Sequence, residues 1–400
     1  MAGTPLNKNI GIIGGGITGV ICAIFLAKEG NKVTIFERKE LLGETSSRTT
    51  KLLHGGIRYL ENLQLSEVIK GLNDRYWWLE NFPDNTKKIE IMIPFRSFIS
   101  LKFFKYLFGI KIYEFLSFTK KLGKGRIVIN SNKFQSINQT KISNYLSFFD
   151  GAMDDKLLSS KLKDQLRDCN VTVHEYCEVK NFNNRGQIND LTFDQIILAA
   201  GPWTNILMKN NSIDSDKEID FIKGSHLVIN KKITNGFMFE GICKTRYIFA
   251  LPYSDKTLLG TTEKRVNTPE DPYIENDEKD YLIKSYNSIF TNSIKSTDID
   301  SSFSGVRPLI KSAKNIHKSS RDFYVQQDDK LISIFGGKWT TAPSIARKVV
   351  TIINNEYLSE PQKSISFFCN HRWHWKNTIR TRNFWKRIFM DRFCFSITLY

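Results

Sequence analysis

A strand, a glycine-rich turn and a helix at the amino end constrain the fold of this chain most strongly. Asn9–Ile13 is an apolar run that predicts a buried parallel strand, and residues 17–29 are apolar and rich in strong helix formers. Gly14, Gly16 and Gly19 lie at the junction with G-x-G-x-x-G spacing. These glycines permit a tight turn, the approach of a pyrophosphate and close packing of helix on strand.

The next strand completes the same unit. Lys32–Phe36 is the second apolar run, and Glu37 follows it. A carboxylate about 20 residues after the glycines is placed to accept both ribose hydroxyls of an adenosine group. We therefore predict a dinucleotide-binding βαβ unit, and the alternative is a glycine-rich turn in an ordinary α/β domain.

Residues 44–60, with the sequence ETSSRTTKLLHGGIRYL, combine hydroxyls, a histidine, paired glycines and cations. Few purely structural segments need that mixture. A site that holds the edge of a flavin and binds an anionic substrate does need it, because hydroxyls and cations supply hydrogen bonds and charge. This segment is the first candidate for an active site.

Two later glycine motifs follow predicted strands. Gly201 follows the apolar run at 195–200, where the backbone is able to approach a cofactor. Gly336 and Gly337 follow the strand predicted at 331–335, and Lys338 leads into a helix predicted at 340–354. A helix amino terminus carries a partial positive charge, which would stabilise negative charge on a reduced flavin. The alternative for the second motif is an ordinary helix start.

The remaining pattern is α/β with β-rich insertions. An antiparallel sheet is predicted over 221–264, where apolar runs alternate with turns. Further helices are predicted at 62–82, 151–168 and 273–290.

Composition limits the class of protein. With 400 residues, 41% hydrophobic and 25% charged, the chain is long enough for two soluble domains. We expect a cytoplasmic protein with reduced thiols, since the first strand leaves no room for a signal peptide and six cysteines form no C-x-x-C pair. No metal site is predicted, because His371 and His374 lack a carboxylate partner.

Basic charge is concentrated in two stretches. The net charge is +17, and residues 96–126 and 361–400 each contain eight Lys or Arg and one acidic residue, interleaved with aromatics. Such segments suit an anionic membrane surface, and a solvated face is the alternative. Nucleic acid is not expected as a partner because the chain contains no recognised binding module.

Several motifs together carry a family resemblance. IGIIGGGITG, TKLLHGGIRYL, AAGPWTN, SGVRPL and SIFGGKWTT occur in order over residues 9–355. In these motifs the chain resembles the FAD-dependent glycerol-3-phosphate dehydrogenases, within the D-amino-acid-oxidase-like FAD-dependent oxidoreductases. The resemblance implies an α/β protein with a Rossmann-like, discontinuous FAD-binding domain and a mixed or antiparallel-sheet substrate domain. The expected boundaries are 1–82, 145–215 and 300–356 for the FAD domain, 83–144 and 216–299 for the substrate domain, and 357–400 for a basic aromatic tail.

The resemblance also implies roles for individual residues. Arg58, Tyr59, Arg307 and Lys338 fall on substrate-binding positions, and His54, Arg307 and Lys338 are the catalytic candidates. The positions implied to bind FAD are Gly14, Gly16, Gly19, Glu37, Arg38, Thr45, Ser46, Ser47, Arg48, Thr50, Gly201, Gly336, Gly337, Lys338 and Thr340.

The implied reaction is oxidation of sn-glycerol 3-phosphate, or a close phosphorylated polyol, to dihydroxyacetone phosphate. Hydride passes to flavin N5 and electrons pass on to a quinone, with the protein peripheral on the inner face of the cytoplasmic membrane. His54 is the first candidate base because the ordinary pKa of histidine lies near neutral pH, and its alternative is a structural imidazole. Lys338 is the second, provided that the charge of Arg307 favours its neutral form. Alternative functions are oxidation of an amino or hydroxy acid, or flavin binding without catalysis.

The chain departs from the family pattern in places. Family members continue into a helical C-terminal domain, which we expect to be missing or replaced here. Trp339 stands where the family has leucine, and we expect it to reshape the pocket. Ala342 and Pro343 replace the usual Tyr-Arg pair, and Glu263 stands in place of aspartate. His226 is expected to support the junction between domains.

Overall fold

A computed structural model describes residues 7–118, 120–129, 137–138, 142, 144–244, 246–311, 322–355 and 396–399. Its helices are α1 Ile17–Lys28, α2 Leu65–Asn81, α3 Leu101–Leu116, α4 Asp155–Asp168, α5 Thr204–Asn210, α6 Asn276–Asn287 and α7 Ala342–Asn355. Its strands are β1 Asn9–Ile13, β2 Lys32–Phe36, β3 Leu52–Leu53, β4 Thr86–Phe95, β5 Arg126–Ile129, β6 Asn144–Met153, β7 Thr172–His174, β8 Gln187–Ile188, β9 Leu191–Thr192, β10 Gln195–Leu198, β11 Ile219–Ile229, β12 Gly236–Glu240, β13 Tyr247–Tyr253, β14 Lys256–Gly260, β15 Lys264–Arg265, β16 Ile299–Ile310, β17 Phe323–Asp328, β18 Leu331–Gly336 and β19 Ser396–Leu399.

A mostly parallel sheet carries the first βαβ unit. Its strand order is β17-β18-β10-β1-β2-β7, and only β17 runs antiparallel to its neighbour. In the centre, Ile12 pairs with Ile35 on one side and with Ile197 on the other. Helices α1 and α7 pack together in the core that includes Val20 and Val349. The carboxyl ends of β1, β10 and β18 therefore lie side by side, which brings the three glycine motifs together.

The second sheet is mixed and has eleven strands. Its order is β15-β11-β14-β13-β12-β4-β6-β5-β19, with β16 paired to β11 and β3 paired to β6. Most pairs are antiparallel, whereas β12 with β4 and β19 with β5 are parallel. Helix α6 contributes Leu282 and Tyr286 to one core of this sheet, and α3 contributes Phe103 and Ile110 to another. The predicted α/β class with a mixed second sheet is confirmed.

The predicted helices and strands are confirmed best in the first βαβ unit, where the hydrophobic pattern was strongest. β1, β2 and α1 occupy the predicted positions within a residue. The helix predicted at 62–82 starts at Leu65, because residues 57–62 form a 3-10 turn. The helix predicted at 151–168 starts only at Asp155, with Asp154 as its N-cap. Residues 151–153 were predicted wrongly, since they belong to β6 and pair there with β3 and β4.

The domain boundaries stay a prediction. In the structure, residues 145–153 and 300–310 are paired within the eleven-stranded sheet, although the predicted boundaries assign them to the FAD domain. The predicted tail lies outside the described residues except for β19, and so do His371 and His374. Within the described part of the chain, no helix is long and apolar enough to cross a membrane.

Candidate cofactor and substrate sites

A cavity of about 480 Å³ lies at the carboxyl ends of β1, β10 and β18. A volume of this size is typical of cofactor and ligand sites. We call it the cofactor cavity. The residues predicted for FAD that line it are Gly14, Gly16, Glu37, Arg38, Thr45, Ser46, Gly201, Gly336, Gly337 and Lys338.

Two glycines in the first turn leave no room for a side chain. Gly14 has a φ of +107°, and a Cβ there would lie 2.6 Å from the carbonyl oxygen of Ala199. A Cβ on Gly19 would lie 2.0 Å from the carbonyl oxygen of Gly14. The helix that follows begins at Ile17, whose backbone N–H donates to the Ser46 hydroxyl at 2.9 Å, and its N-cap residue is Gly16. The amino end of this helix brings a partial positive charge and the other backbone N–H groups of the first turn to the cavity wall.

Glu37 faces the same cavity from the end of β2. Its carboxylate is buried and accepts hydrogen bonds from the backbone N–H groups of Gly15 at 2.7 Å and Lys39 at 2.9 Å. Each carboxylate oxygen has more than one acceptor position. The group is therefore held in place by the backbone and still has acceptor capacity toward the cavity.

The opposite wall is the turn that follows β18. Gly336 and Gly337 have φ values of +75° and +87°, which favour glycine. The indole of Trp339 donates to the carbonyl oxygen of Ser46 at 2.7 Å, and the indole of Trp78 donates to that of Thr340 at 3.1 Å. Trp339 lines the cofactor cavity and is absent from the wall of the second cavity described below. Trp339 therefore ties two cavity walls together, and its expected reshaping of the pocket stays a prediction.

One rim of the cofactor cavity is closed by contacts that the sequence did not indicate. The guanidinium of Arg38 lies 4.2 Å from the ring centroid of Trp203 and donates two hydrogen bonds of 3.1 Å to Glu270. The indole of Trp203 also donates to Glu270. All three residues line the cavity, so a loop that follows the larger sheet reaches over the smaller one.

A second cavity of about 290 Å³ lies beside the segment 50–61, and we call it the substrate cavity. The predicted residues Thr50, His54, Arg58, Tyr59 and Arg307 line it. Thr50, which was predicted to bind the cofactor, lines this cavity, and its role at the cofactor stays a prediction. Two segments that are distant in the sequence, 50–59 and the strand that carries Arg307, thus meet at one cavity.

Apart from Arg307 on β16, sequence reasoning missed the residues that the larger sheet contributes to this cavity. Arg246 and Tyr247 at the start of β13, and Thr261 and Glu263 after β14, line it as well. Glu263 lies 3.8 Å from Arg307 and 3.9 Å from Arg246, and the Arg307 guanidinium also donates to Thr261. In the sequence, Glu263 was indicated only by its place after Gly260-Thr261-Thr262, where the family has aspartate. No local pattern indicated Arg246.

The charge balance of the substrate cavity is positive. Arg58, Arg246 and Arg307 line it, against the carboxylates of Glu61 and Glu263. A third carboxylate, Asp150, is matched by the guanidinium of Arg75 at 3.0 Å. Arginines at this density suit an anion that accepts several hydrogen bonds.

Lys338 connects the two cavities. It lines the cofactor cavity, and its Nζ donates to the hydroxyl oxygen of Tyr59 at 2.6 Å and lies 4.3 Å from the centroid of that ring. The ring of Tyr59 in turn contacts the imidazole of His54, with centroids 6.3 Å apart. The candidate catalytic residues His54 and Lys338 therefore both contact Tyr59.

The loop that carries His54 is held by a buried ion pair. Oδ1 of Asp150 accepts from the backbone N–H of Gly55 at 3.1 Å, from Arg75 at 3.0 Å and from the Tyr113 hydroxyl at 3.0 Å. Burial raises the pKa of the Asp150 carboxyl, whereas Arg75 and the Gly55 N–H act in the opposite direction. A Cβ on Gly55 would lie 2.3 Å from the Tyr113 hydroxyl, so only glycine fits here.

His226 lies behind the site. Its Nε2 is 3.0 Å from the hydroxyl of Thr50, its ring stacks on Phe303, and it is only 1% exposed. Burial, reinforced by the charges of Arg307 and Lys51, lowers the pKa of His226 well below the ordinary value. The imidazole is therefore neutral at pH 7, and it supports Thr50 from the β11 side.

Other predicted cofactor positions lie behind the cavity wall. Gly19 packs on the Gly14 carbonyl. The Ser47 hydroxyl donates to the carbonyl oxygens of Gly43 and Glu44. The carbonyl oxygen of the buried Thr340 accepts a hydrogen bond from the Trp78 indole. Arg48 lies against Gly305, where a Cβ would approach it within 2.6 Å. None of these four residues is part of the described cavity lining.

Comparison with known proteins identifies the family. The sequence model described as FAD dependent oxidoreductase (DAO) matches residues 9–351. The chain belongs to this family. FAD is therefore its cofactor, and the chain is an FAD-dependent oxidoreductase.

Several proteins similar to this chain are named as glycerol-3-phosphate dehydrogenases or as a glycerophosphate oxidase. Aerobic glycerol-3-phosphate dehydrogenase of Bacillus subtilis is 28% identical over 383 residues, which cover 90% of this chain and 69% of the relative. A glycerol-3-phosphate dehydrogenase from Bacillus halodurans, solved with FAD, has a TM-score of 0.66 and 22% identity over 89% of this chain and 66% of that one. L-alpha-glycerophosphate oxidase of Mycoplasma pneumoniae, also solved with FAD, has a TM-score of 0.68 and 20% identity. The match covers 87% of this chain and 94% of the oxidase. The chain spans about two thirds of the length of the two dehydrogenases.

The cofactor cavity of this DAO-family chain fits FAD. A pyrophosphate needs close backbone approach, which Gly14 and Gly16 permit, and the amino end of α1 stabilises its charge. The ribose of the adenosine half needs an acceptor, which Glu37 supplies. Gly336 and Gly337 form the far wall, toward the substrate cavity and Lys338.

Proposed function

We propose that this chain oxidises sn-glycerol 3-phosphate, or a close phosphorylated polyol, to dihydroxyacetone phosphate. The observation that carries the proposal is the group of cations at the substrate cavity, beside the cofactor cavity. Arg58, Arg246 and Arg307 line it and Lys338 reaches its wall through Tyr59. A phosphate near charge −2 is held best by guanidinium groups that donate two hydrogen bonds each. The names of the similar proteins support the same substrate class.

The chemistry requires a hydride acceptor and a base. FAD, held by the glycine turns at Gly14 and Gly336 and by Glu37, would supply the hydride acceptor for the carbon of the secondary alcohol. His54, at the wall of the substrate cavity, takes the proton of the alcohol oxygen, so that the C–O bond becomes a carbonyl. Asp150 positions His54 through the Gly55 N–H, and Arg58 and Arg307 hold the phosphate. Lys338 supplies positive charge between the two cavities.

The electrons leave the protein in a second half-reaction. We propose a quinone as the acceptor, with the protein attached to the inner face of the cytoplasmic membrane. The basic, aromatic stretch at 96–126 supports this, because it suits an anionic surface. Turnover measured with a soluble quinone analogue should exceed turnover measured as hydrogen peroxide release. Peroxide formed in step with substrate consumption would instead assign the chain as an oxidase.

The test of the first half-reaction is the visible flavin spectrum under anaerobic conditions. Addition of sn-glycerol 3-phosphate to the FAD-loaded protein should bleach the flavin, whereas glycerol, which lacks the phosphate, should leave it oxidised. Bleaching by amino or hydroxy acids alone would overturn the assignment of substrate. Retention of flavin without bleaching by any of them would indicate a non-catalytic flavoprotein.

Matched arginine variants test the phosphate contacts. Arg58→Ala and Arg307→Ala should each lower kcat/KM about 10- to 100-fold, as expected for loss of a hydrogen bond to a charged group. Arg265→Ala is the control, since Arg265 pairs with Asp220 outside the cavity and is 53% exposed. Equal effects of all three substitutions would contradict the proposed role.

A further inference from the structure

Three tryptophan rings form a continuous row that starts at the wall of the cofactor cavity. Trp339 lines this cavity, and its ring centroid lies 5.6 Å from that of Trp78. The centroid of Trp78 lies 5.0 Å from that of Trp77, its neighbour on α2. Both distances are those of aromatic rings in direct contact. We call these three residues the tryptophan row.

Exposure to solvent changes along the tryptophan row. Trp339 is 6% exposed and Trp78 is 0% exposed. Trp77 is only partly buried and packs at the edge of the same hydrophobic core. The row therefore crosses the core from the cofactor cavity and ends at solvent.

The hydrogen bonds of the two inner rings go to backbone carbonyls. The indole N–H of Trp339 donates to the carbonyl oxygen of Ser46 at 2.7 Å, and that of Trp78 donates to the carbonyl oxygen of Thr340 at 3.1 Å. An amide carbonyl accepts a hydrogen bond but is too weak a base to remove the proton. Trp77 is the member of the row with access to water, which does accept a proton.

Trp339 makes the connection to the cofactor. Trp78 and Trp77 are not part of the described lining of the cofactor cavity, so the row reaches the cavity through Trp339. The family pattern has leucine at this position, which fills a core without supplying a ring that gives up electrons. The same aromatic cluster contains Phe82, with ring centroids 5.4 Å from Trp78 and 5.9 Å from Trp77.

The wall that carries Trp339 fits the flavin end of FAD. Glu37 and the Gly14 turn suit the adenosine and pyrophosphate parts, and the turn before Trp339 forms the far wall. Lys338, the neighbour of Trp339, donates to Tyr59 of the substrate cavity. The reacting ring of the cofactor must face that second cavity, and Trp339 lies beside it.

We propose that the tryptophan row conducts single electrons from the protein surface to the light-excited flavin, so that the protein reduces its own flavin under blue light. Flavins take up electrons one at a time, and tryptophan is among the side chains most easily oxidised. Trp339 gives one electron to the excited flavin, Trp78 replaces the electron of Trp339, and Trp77 replaces that of Trp78. The N–H bond of Trp77 then breaks and its proton passes to water, which slows the return of the electron.

A thiol in solution completes the reaction. Its S–H bond breaks, and one electron and one proton return to Trp77, which regains its N–H bond. Two rounds deliver two electrons to the flavin, which takes up the two protons released to the water. The two sulfur radicals combine into a disulfide, so that one flavin is reduced for each disulfide formed. This activity uses no substrate and is independent of the proposed function.

The test is blue-light illumination of the FAD-loaded protein without oxygen or substrate, with dithiothreitol as the thiol. The wild type should lose its flavin absorbance in the light and keep it in the dark. Trp339→Phe should lose nearly all of this photoreduction, and the fluorescence lifetime of its bound flavin should lengthen. Trp77→Phe should also lose photoreduction but keep the wild-type lifetime, because the first electron donor is still present.

Phe82→Leu is the matched control for packing. It changes a buried ring in contact with Trp77 and Trp78 and removes no tryptophan, so its lifetime and photoreduction should equal those of the wild type. Trp339→Leu, which introduces the residue of the family pattern, should behave like Trp339→Phe. Flavin absorbance of the purified variants shows that they are folded and loaded.

Several outcomes would overturn the proposal. A wild type that is not photoreduced, or a Trp339→Phe variant with wild-type lifetime and photoreduction, would remove the electron path. Equal losses in Phe82→Leu and Trp77→Phe would assign the row to packing alone. A longer lifetime in Tyr59→Phe but not in Trp339→Phe would make Tyr59 the donor. Bleaching by sn-glycerol 3-phosphate in the dark tests the proposed function separately, and its failure would leave the result of illumination unaffected.

Discussion

The ammonium group of Lys338 donates a hydrogen bond of 2.6 Å to the hydroxyl of Tyr59, although 279 residues separate them in the chain. Lys338 follows β18 of the smaller sheet, and Tyr59 lies in the 3-10 turn that borders the substrate cavity. One hydrogen bond thus joins the wall of the cofactor cavity to the wall of the substrate cavity.

This pair gives a first prediction. Lys338→Met, which removes the charge, should lower kcat/KM for sn-glycerol 3-phosphate about 10- to 100-fold, and Tyr59→Phe, which removes only the hydroxyl, about 2- to 10-fold. Because the two groups contact each other, the double variant should be less impaired than the product of the single effects. Steady-state kinetics on the four proteins measure this coupling, and strictly multiplicative effects would count against it.

A second prediction concerns the buried pair of Asp150 and Arg75. Asp150→Asn leaves the guanidinium of Arg75 buried without its counter-charge, which typically costs about 3–5 kcal/mol of unfolding free energy. The urea midpoint should fall accordingly, and activity should fall because Gly55 loses its carboxylate acceptor. The control Asp300→Asn breaks the solvent-exposed pair with Lys256 and should leave the midpoint unchanged. A midpoint for Asp150→Asn equal to that of the control would refute the structural role.

A third prediction follows from the lowered pKa of His226. Below the unfolded-state pKa of about 6.5, the unfolded chain takes up a proton that the folded chain does not, so stability is present above that pH and is lost as the pH falls. The loss attributable to His226 should reach about 1.4 kcal/mol for each pH unit below 6.5. Urea unfolding at pH 7.5 and 5.5 should show a smaller decrease in His226→Gln than in the wild type. Identical decreases in both proteins would rule out this assignment.

A fourth prediction tests the ribose position. Glu37→Gln replaces a carboxylate that faces the cofactor cavity and accepts from Gly15 and Lys39. Apoprotein of this variant should bind FAD about 10- to 100-fold more weakly, measured by quenching of flavin fluorescence. Glu29→Gln, at the exposed end of α1, is the matched control and should bind FAD like the wild type. Unchanged affinity in Glu37→Gln would remove Glu37 from the cofactor site.

Much of the cofactor site was predictable because its determinants are local. The spacing of Gly14, Gly16 and Gly19 admits few backbone conformations, and β1, α1 and β2 follow from hydrophobic patterns within thirty residues or so. The motif at Gly336 and Gly337 was predictable for the same reason, since both residues need positive φ.

Tertiary pairing overruled the local signal at residues 151–153. Asp154 and Asp155 favour a helix start, and that helix forms as α4. The three residues before Asp154 complete β6, which pairs with β4 over ten residues in the larger sheet. Hydrogen bonds to a distant strand outweigh helix propensity, which is a weak preference.

The sequence by itself determined the family, the cofactor and the class of residues that surround the cofactor, because glycine conformation and short apolar runs act over neighbouring positions. Only the tertiary structure decided that Arg246, Glu263 and Arg307 meet at one cavity, that Thr50 is supported by His226, and that Trp339 contacts Trp78. These relations depend on which strands pair and in which register. Burial of distant side chains against one another sets that register, and no local pattern encodes it.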